Sequence, residues 1–235
     1  MKIKKICFSY GENKIINNIS LEIEAGQIGV LVGDSGCGKT TLLNLIAGLL
    51  MPCSGEIQET GNLVYQPQEI RLLPYLTALE NAILRCKLRG DITPYKMALA
   101  KKLYADFGLS GDSINYFPSQ LSGGMKQRIA IIQSLLVSFS VLLMDEPLSA
   151  VDRGTSLFIM DYIVKRVKEM NAKALIVTHD LEQAVSLGDY IFLMNTKGEL
   201  MKLNLNNNND FPSKRRSSPS YMSNFLNLIN ALNNL

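Results

Sequence analysis

The sequence predicts an α/β protein on a mostly parallel sheet, with an antiparallel β subdomain at its N-terminal edge and an inserted helical subdomain. Three observations predict it. Short apolar runs of strand length alternate with segments of helical spacing over residues 28–66 and again over 141–194. The first 25 residues instead alternate in the manner of paired strands. Between about Glu69 and Val137 the β signals stop, and only helical spacing remains.

Taken in order, Tyr10-Gly11-Glu12-Asn13 is a turn, Ile19–Ile23 reads as a strand, and Ala25-Gly26-Gln27 turns the chain again. Ile28–Val32 is an apolar strand leading into a glycine-rich loop and a helix over Thr40–Leu50. Ser54-Gly55 reads as a chain break, and Leu63-Val64-Tyr65 as a short strand ending at Gln66. Helices are predicted over Leu79–Leu88, Pro94–Phe107 and Ser122–Leu136. Strands follow at Val141–Met144, Ala174–Thr178 and Tyr190–Met194, with helices between them, the first running through Lys168. Strands alternating with helices imply a sheet covered on both faces. This divides the chain into a core of 1–69 and 138–200, an insertion of 70–137, and a tail of 201–235. The tail opens on a low-complexity spacer containing Asn206–Asn209. Pro219 can then start an amphipathic helix with Met222, Phe225, Leu226, Ile229, Leu232 and Leu235 on one stripe, read as docking on its own domain.

Composition narrows the class. Of the 235 residues, 47% are hydrophobic and 19% charged, which suits a globular protein with a sizeable core. A net charge of +3 gives no reason to expect nucleic acid as a partner. The basic clusters Lys2-Ile3-Lys4-Lys5 and Lys214-Arg215-Arg216 read as solvated, or at most as contacts to an anionic membrane surface. Cys7, Cys37, Cys53 and Cys86 lie far apart, so neither a zinc site nor a disulfide framework is expected. The start carries no apolar core of signal-peptide length. The longest uncharged run, Ile129–Met144, is interrupted by Gln133, Ser134, Ser138 and Ser140. It reads as the end of a buried helix followed by a buried strand, not as a membrane span.

The chemistry begins at Gly33-Asp34-Ser35-Gly36-Cys37-Gly38-Lys39-Thr40-Thr41, a match to G-x-x-x-x-G-K-[ST] between a strand and a helix. Such a loop turns successive backbone N–H groups toward phosphate oxygens, and the helix start adds partial positive charge. Lys39 supplies a point charge, and the Thr40 hydroxyl can ligand Mg²⁺. Cys37, at this helix start, is expected to have a lowered pKa and a reactive thiol, with a buried inert cysteine as the alternative reading. A loop of this kind alone leaves kinases, GTPases and many ATPases open.

Val141–Met144 runs into Asp145-Glu146-Pro147. An acid at the end of a buried strand can hold Mg²⁺, and a second beside it can polarise a water; a simple strand cap explains the same residues equally well. The only histidine, His179, directly follows the strand Ala174–Thr178. Gly33, Gln66, Asp145-Glu146 and His179 thus all fall at strand C-terminal ends, where open α/β sheets bind ligands. Ser122-Gly123-Gly124, opening a helix within the insertion, forms a second anion cradle without a lysine. Two cradles for one triphosphate suggest two chains arranged head to tail, each closing the other's site.

With these residues in order, the sequence resembles the ATP-binding subunit of an ABC transporter over about residues 1–200. The resemblance implies the RecA-like P-loop NTPase fold and ATP hydrolysis coupled to transport. It implies Tyr10 stacking on adenine, Gly33–Thr41 holding the phosphates, and Mg²⁺ held by Thr40, Asp145 and Gln66. It further implies a signature at Leu121–Gln127, Glu146 activating water, a D-loop at Ser149-Ala150-Val151-Asp152, and His179 steadying the γ-phosphate. The partners implied are a second identical or similar ATPase chain, transmembrane permease subunits and, indirectly, a solute-binding protein. The place implied is the cytoplasmic face of the membrane.

Within the family the chain is most similar to importers of the nitrate/sulfonate/taurine class, through Leu72-Leu73-Pro74-Tyr75-Leu76-Thr77, the signature ending Met-Lys-Gln-Arg, and the tail Lys214-Arg215-Arg216…Pro219. Tyr75 stands where that class usually has Trp, and Gln133-Ser134 where it has Arg-Ala. An exporter or lipoprotein-release ATPase would use the same site. A soluble ABC protein of ribosomes or DNA usually carries two such domains or a coiled-coil insertion, and a GTPase would need an N-K-x-D motif. Asn195-Thr196-Lys197-Gly198 is not one.

Overall fold

A computed structural model describes residues 1–59, 61–109, 111–205 and 210–233; the spacer asparagines and Leu235 lie outside the described residues. The chain forms two sheets. The smaller holds β1 (Lys2–Tyr10), β2 (Asn13–Glu22) and β4 (Ser54–Gln58) in the antiparallel order β2-β1-β4. Ser54-Gly55 does not break the chain; it starts β4, with Ser54 paired to Cys7 of β1. Gly55 has φ +89°, and a Cβ there would stand 2.4 Å from the Lys5 carbonyl oxygen. The glycine therefore marks a close backbone approach between paired strands.

The larger sheet takes β3 (Ile28–Gly33), β5 (Leu63–Gln66), β6 (Val141–Asp145), β7 (Lys173–Val177), β8 (Tyr190–Met194) and β9 (Leu200–Asn204) in the order β5-β6-β7-β3-β8-β9. All neighbours run parallel except β9, which is antiparallel to β8. The sheet thus continues past residue 200, where no strand is legible from residue pattern. Its central strands are apolar at both parities because both faces are covered. Ile28, Val30, Val32, Leu142, Met144, Ala174 and Ile176 point into one core. Leu31, Val141, Leu143, Leu175 and Val177 point into the other, shared with the small sheet.

Helix α1 (Lys39–Ile46) fills this second core with Leu42, Leu43, Leu45 and Ile46. It is shorter than expected because Gly48, at φ +72°, takes the chain out of the helix. The inserted block carries α2 (Ala78–Ala82), α3 (Leu84–Leu88), α4 (Pro94–Asp106) and α5 (Gly123–Leu135). One helix was expected over 79–88. The chain bends instead at Ile83 (φ −93°, ψ 1°), after a start fixed by the Thr77–Glu80 capping box. The remaining helices are α6 (Arg153–Glu169), α7 (Leu181–Leu187), α8 (Pro212–Arg215) and α9 (Pro219–Asn233).

The tail docks on its own domain, but by other contacts than the sequence suggested. Arg215 is not solvated. It is fully enclosed and donates to the Ser186 and Gly188 carbonyls, each at 2.9 Å, and to Asp189 Oδ1 at 3.0 Å. Asp189 Oδ2 in turn accepts from the Ile28 amide at 2.9 Å, tying the tail to the start of β3. On α9 the face turned inward carries Tyr221, Asn224, Phe225, Leu228, Ala231 and Leu232. Met222 and Leu226 of the expected stripe are 61% and 52% exposed. Phe225 and Leu232 are common to both sets, and burying Leu228 contributes roughly 1.5–3 kcal/mol.

Candidate nucleotide site

The sheet order puts the ends of β5, β6, β7 and β3 side by side, so residues distant in sequence meet at one edge. Beyond these ends lies a cleft of about 470 Å³ whose lining includes Tyr10, Ile15, Gly33, Ser35, Gly36, Gly38–Thr41, Gln68, Asp145, Glu146 and His179. The volume suits a nucleotide-sized ligand. Gly36 and Gly38 have φ of +81° and +107°, which lets the loop turn back on itself. At Gly33 a Cβ would come within 2.3 Å of the Met194 carbonyl oxygen, so the loop can leave β3 only without a side chain. The N-cap of α1, Gly38, supplies no side-chain hydrogen bond, and the first N–H groups of the helix are left facing the cleft without a side-chain cap. Lys39 Nζ donates to the Gly33 and Asp34 carbonyls at 2.8 and 2.7 Å, folding the cation over the loop.

At the floor, Thr40 Oγ1 donates to Asp145 Oδ2 at 2.6 Å. Burial raises the Asp145 pKa, with the neighbouring Glu146 acting in the same direction; the Thr40 hydrogen bond and Lys39 act against it. The same burial, together with Asp145, pushes the Tyr65 phenol up to about 12. Among the described residues no three His, Cys, Asp or Glu side chains cluster as a metal site. One carboxylate beside one hydroxyl fits an ion whose other ligands are phosphate oxygens and water.

Glu146 stands next in line with φ +49°, a backbone conformation non-glycine residues seldom adopt. Its amide donates to the Val177 carbonyl at 3.0 Å. Its carbonyl accepts from Gln127 Nε2 at 3.0 Å and from Ser149 Oγ at 3.1 Å. Gln127 also reaches the Pro147 carbonyl at 2.7 Å. The strained turn is thus held from three sides. Its carboxylate oxygen Oε2 lies 2.8 Å from His179 Nδ1; the glutamate side chain is 11% exposed and the histidine 71%.

The structure therefore assembles most of the residues expected from the sequence, but not all. Tyr10 lies at the rim, half exposed, its ring edge-on to Phe8 at 4.8 Å. Gln66 is absent from the residues lining the cleft. It lines a separate cavity, with both amide atoms buried and without a partner among the described residues. Ser122, Gly123 and Gly124 do not line the cleft either; Ser122 caps its own helix, accepting from the Met125 amide at 3.3 Å. The expectation for Cys37 is overturned. The residue is buried under the loop, and burial raises its thiol pKa more than the nearby Lys39 can lower it. The individual parts of Gln127, Gln68 and Ile15 were not read from the sequence. For Gln127 a signal existed, since a glutamine on a buried helix face needs partners.

A phosphate loop on a helix start, a buried acid paired with a hydroxyl, and a second acid paired with histidine are the parts that a P-loop nucleoside triphosphatase needs. The comparisons agree. The family model described as ABC transporter matches residues 16–149, more than half of the chain. The chain is 36% identical over 216 residues to the aliphatic sulfonates import ATP-binding protein SsuB of Corynebacterium glutamicum, covering 92% of this chain and 86% of that protein. It is 34% identical to the bicarbonate transport ATP-binding protein CmpD of Synechocystis, over 78% and 68% of the two chains. Among solved structures it superposes on the ATP-binding cassette MJ0796, a dimer in a post-hydrolysis state with ADP and Pi, with a TM-score of 0.77 and 29% identity over 88% and 99% of the chains. The chain belongs to the ABC transporter family and is an ATP-binding, ATP-hydrolysing cassette of that family.

Proposed function

We propose that this cassette drives uptake of a small anionic or organic solute, of the nitrate, sulfonate or taurine kind, as one of two identical or similar ATPase chains beneath a membrane permease. The names of the relatives, for sulfonate and bicarbonate, support the solute class. In this reading Tyr10 packs on the base, and the Gly33–Thr41 loop, including Asp34, Ser35 and Cys37, surrounds the phosphates. Thr40 and Asp145 would hold Mg²⁺, and Gln66 would add a ligand oxygen if its amide faced the cleft. Bound there, the cation would neutralise charge building on the phosphates. Glu146 takes the proton of the attacking water on the carboxylate oxygen that His179 leaves free. His179, held at Nδ1, keeps its other ring nitrogen for the γ-phosphate. Ser122-Gly123-Gly124 of a second chain closes the site, and motion of the helical insertion passes to the permease.

The observation that carries the hydrolytic reading is the Glu146–His179 contact at 2.8 Å beside the Thr40–Asp145 pair. Glu146→Gln keeps the shape but not the base. ATP binding should persist while turnover falls by about 10²–10⁴. Near wild-type ATPase in the purified variant would remove Glu146 from this role. For the solute class, uptake of labelled taurine, nitrate and bicarbonate into cells with the gene disrupted should fall for one of them; unchanged uptake of all three would reject the class.

A further inference from the structure

Gln66 is 2% exposed and its amide meets no hydrogen-bonding partner among the described residues, so its present orientation is not explained by its own contacts. It lines a cavity of about 200 Å³ between the end of β5 and the helical insertion, together with Arg85, Gln133 and Ser134. What holds the chain there is one residue back. The Tyr65 carbonyl accepts from Arg85 Nη2 at 2.7 Å. Arg85 Nε faces Gln133 Oε1 at 3.4 Å, and Gln133 Nε2 donates to the Asn81 carbonyl at 2.8 Å.

Asn81 is itself buried. It accepts from the Leu73 amide at 2.8 Å and donates to the carbonyls of Leu73, Leu76 and Thr77 at 3.0–3.1 Å. A continuous set of hydrogen bonds thus runs from the end of β5 through α3, α5 and α2 to the 73–77 loop. Arg85 forms no ion pair with a carboxylate among the described residues. Burial, with Arg89 nearby, pulls its pKa down from the usual guanidinium value. A half-buried guanidinium without a counter-charge is a poor stabilising device. Its fork geometry, reaching a strand carbonyl and a helix side chain at once, suits it to fix one element against another.

We propose that Arg85 is a positioning residue for Gln66: seated on Gln133 and gripping the Tyr65 carbonyl, it fixes the end of β5 to the helical insertion and sets where the Gln66 amide points. This rests on the reading of Gln66 as part of the ATPase reaction. Arg85 is not among the residues that line the cleft, so it acts on turnover and leaves nucleotide binding alone.

The test compares Arg85→Met, Arg85→Lys, Gln133→Leu and Gln66→Ala in the purified full chain, by steady-state ATPase, titration with a fluorescent ATP analogue, and hydrogen exchange. Arg85→Met should lower kcat about tenfold to a hundredfold while KM and nucleotide affinity stay within about twofold, because a small misplacement weighs on the reaction far more than on binding. Arg85→Lys, which cannot reach both partners, should fall between Arg85→Met and wild type. Amides of residues 63–73 should exchange faster in Arg85→Met. Gln133→Leu, which leaves the Arg85 contact to Tyr65 in place, should show a smaller loss of the same kind and serves if Arg85→Met does not fold. Wild-type kcat in the Arg85 variants, with turnover lost in Gln66→Ala, would overturn the proposal alone. Nucleotide affinity falling in step with kcat would mark general loosening and overturn it too. Wild-type kcat in Gln66→Ala would instead remove the reading of Gln66 on which it stands.

Discussion

Two helices in this chain begin among glycines, and they are finished in different ways. At α1 the glycines are demanded from within. Gly33 has a neighbouring backbone oxygen where a Cβ would go, Gly36 and Gly38 sit at positive φ, and no side chain caps the first N–H groups. At α5 the cap is supplied by the chain itself, through Ser122, and a Cβ on Gly123 would meet nothing within 4 Å. Only Gly124, against the Ala150 carbonyl at 2.5 Å, has an internal reason to be glycine. The first cradle has the reasons for its glycines inside one chain. The second is smoother than its own chain requires, which is what a surface awaiting another molecule looks like.

The sharpest way to break this comparison is to add one methyl group to each cradle. Gly33→Ala should destabilise the protein by roughly 1–3 kcal/mol or more, because the clash is with backbone that cannot step aside. ATP binding should be lost with it. Gly123→Ala, with no clash and a better helix former, should unfold no earlier than wild type. Thermal unfolding of the pair checks both. Equal melting temperatures would mean that the internal demand at Gly33 is not there.

The next largest effect concerns the second cradle alone. In the Glu146→Gln background, ATP should bring two chains together, and Ser122→Arg should prevent it by filling the opening. Nucleotide binding by the single chain should survive, since none of Ser122, Gly123 and Gly124 lines the cleft. Light scattering after size exclusion reads the first outcome and nucleotide titration the second. Loss of binding to the single chain would show that both cradles serve one site within one chain. Continued association would show that the cradle is not at the contact.

How much of this was legible in the sequence follows from how local each feature is. The glycine loop, the acids at the end of β6 and the histidine after β7 were legible because each is fixed by its position at a strand end. Features set by a distant partner were not. Arg215 sits in a basic run that reads as solvated, and only the carbonyls of Ser186 and Gly188 and the Asp189 carboxylate make its burial possible. The face of α9 was misjudged because a count of apolar residues passes over Asn224, which the structure buries along with Leu228. Gly55 read as a break because a glycine in a short polar stretch gives no sign of the strand beside it. The direction of the Gln66 amide is the extreme case, since it depends on three elements of the insertion at once.

The smallest effect expected belongs to Cys37, inside the first cradle. The position at a helix start argues for a lowered thiol pKa, and burial argues for a raised one; in this fold burial outweighs the helix start and Lys39 together. A thiol with a raised pKa holds less thiolate at neutral pH, and only the thiolate alkylates. Cys37 should therefore label slowly at pH 7, and its labelling should grow only as the pH climbs beyond the ordinary thiol range. Exposed Cys53 supplies the internal reference, because no packing shields it. The measurement is iodoacetamide labelling of the folded chain across a pH series, with each cysteine quantified by peptide mass spectrometry. Cys37 should be modified at least about tenfold more slowly than Cys53, and ATP should change the rate at Cys37 little, since burial already protects it. Rapid labelling of Cys37 at neutral pH, blocked by ATP, would show that the helix start governs the thiol and that the loop opens far enough to admit the reagent. The first cradle would then be less closed from within than its glycines imply, and the contrast with the second would narrow.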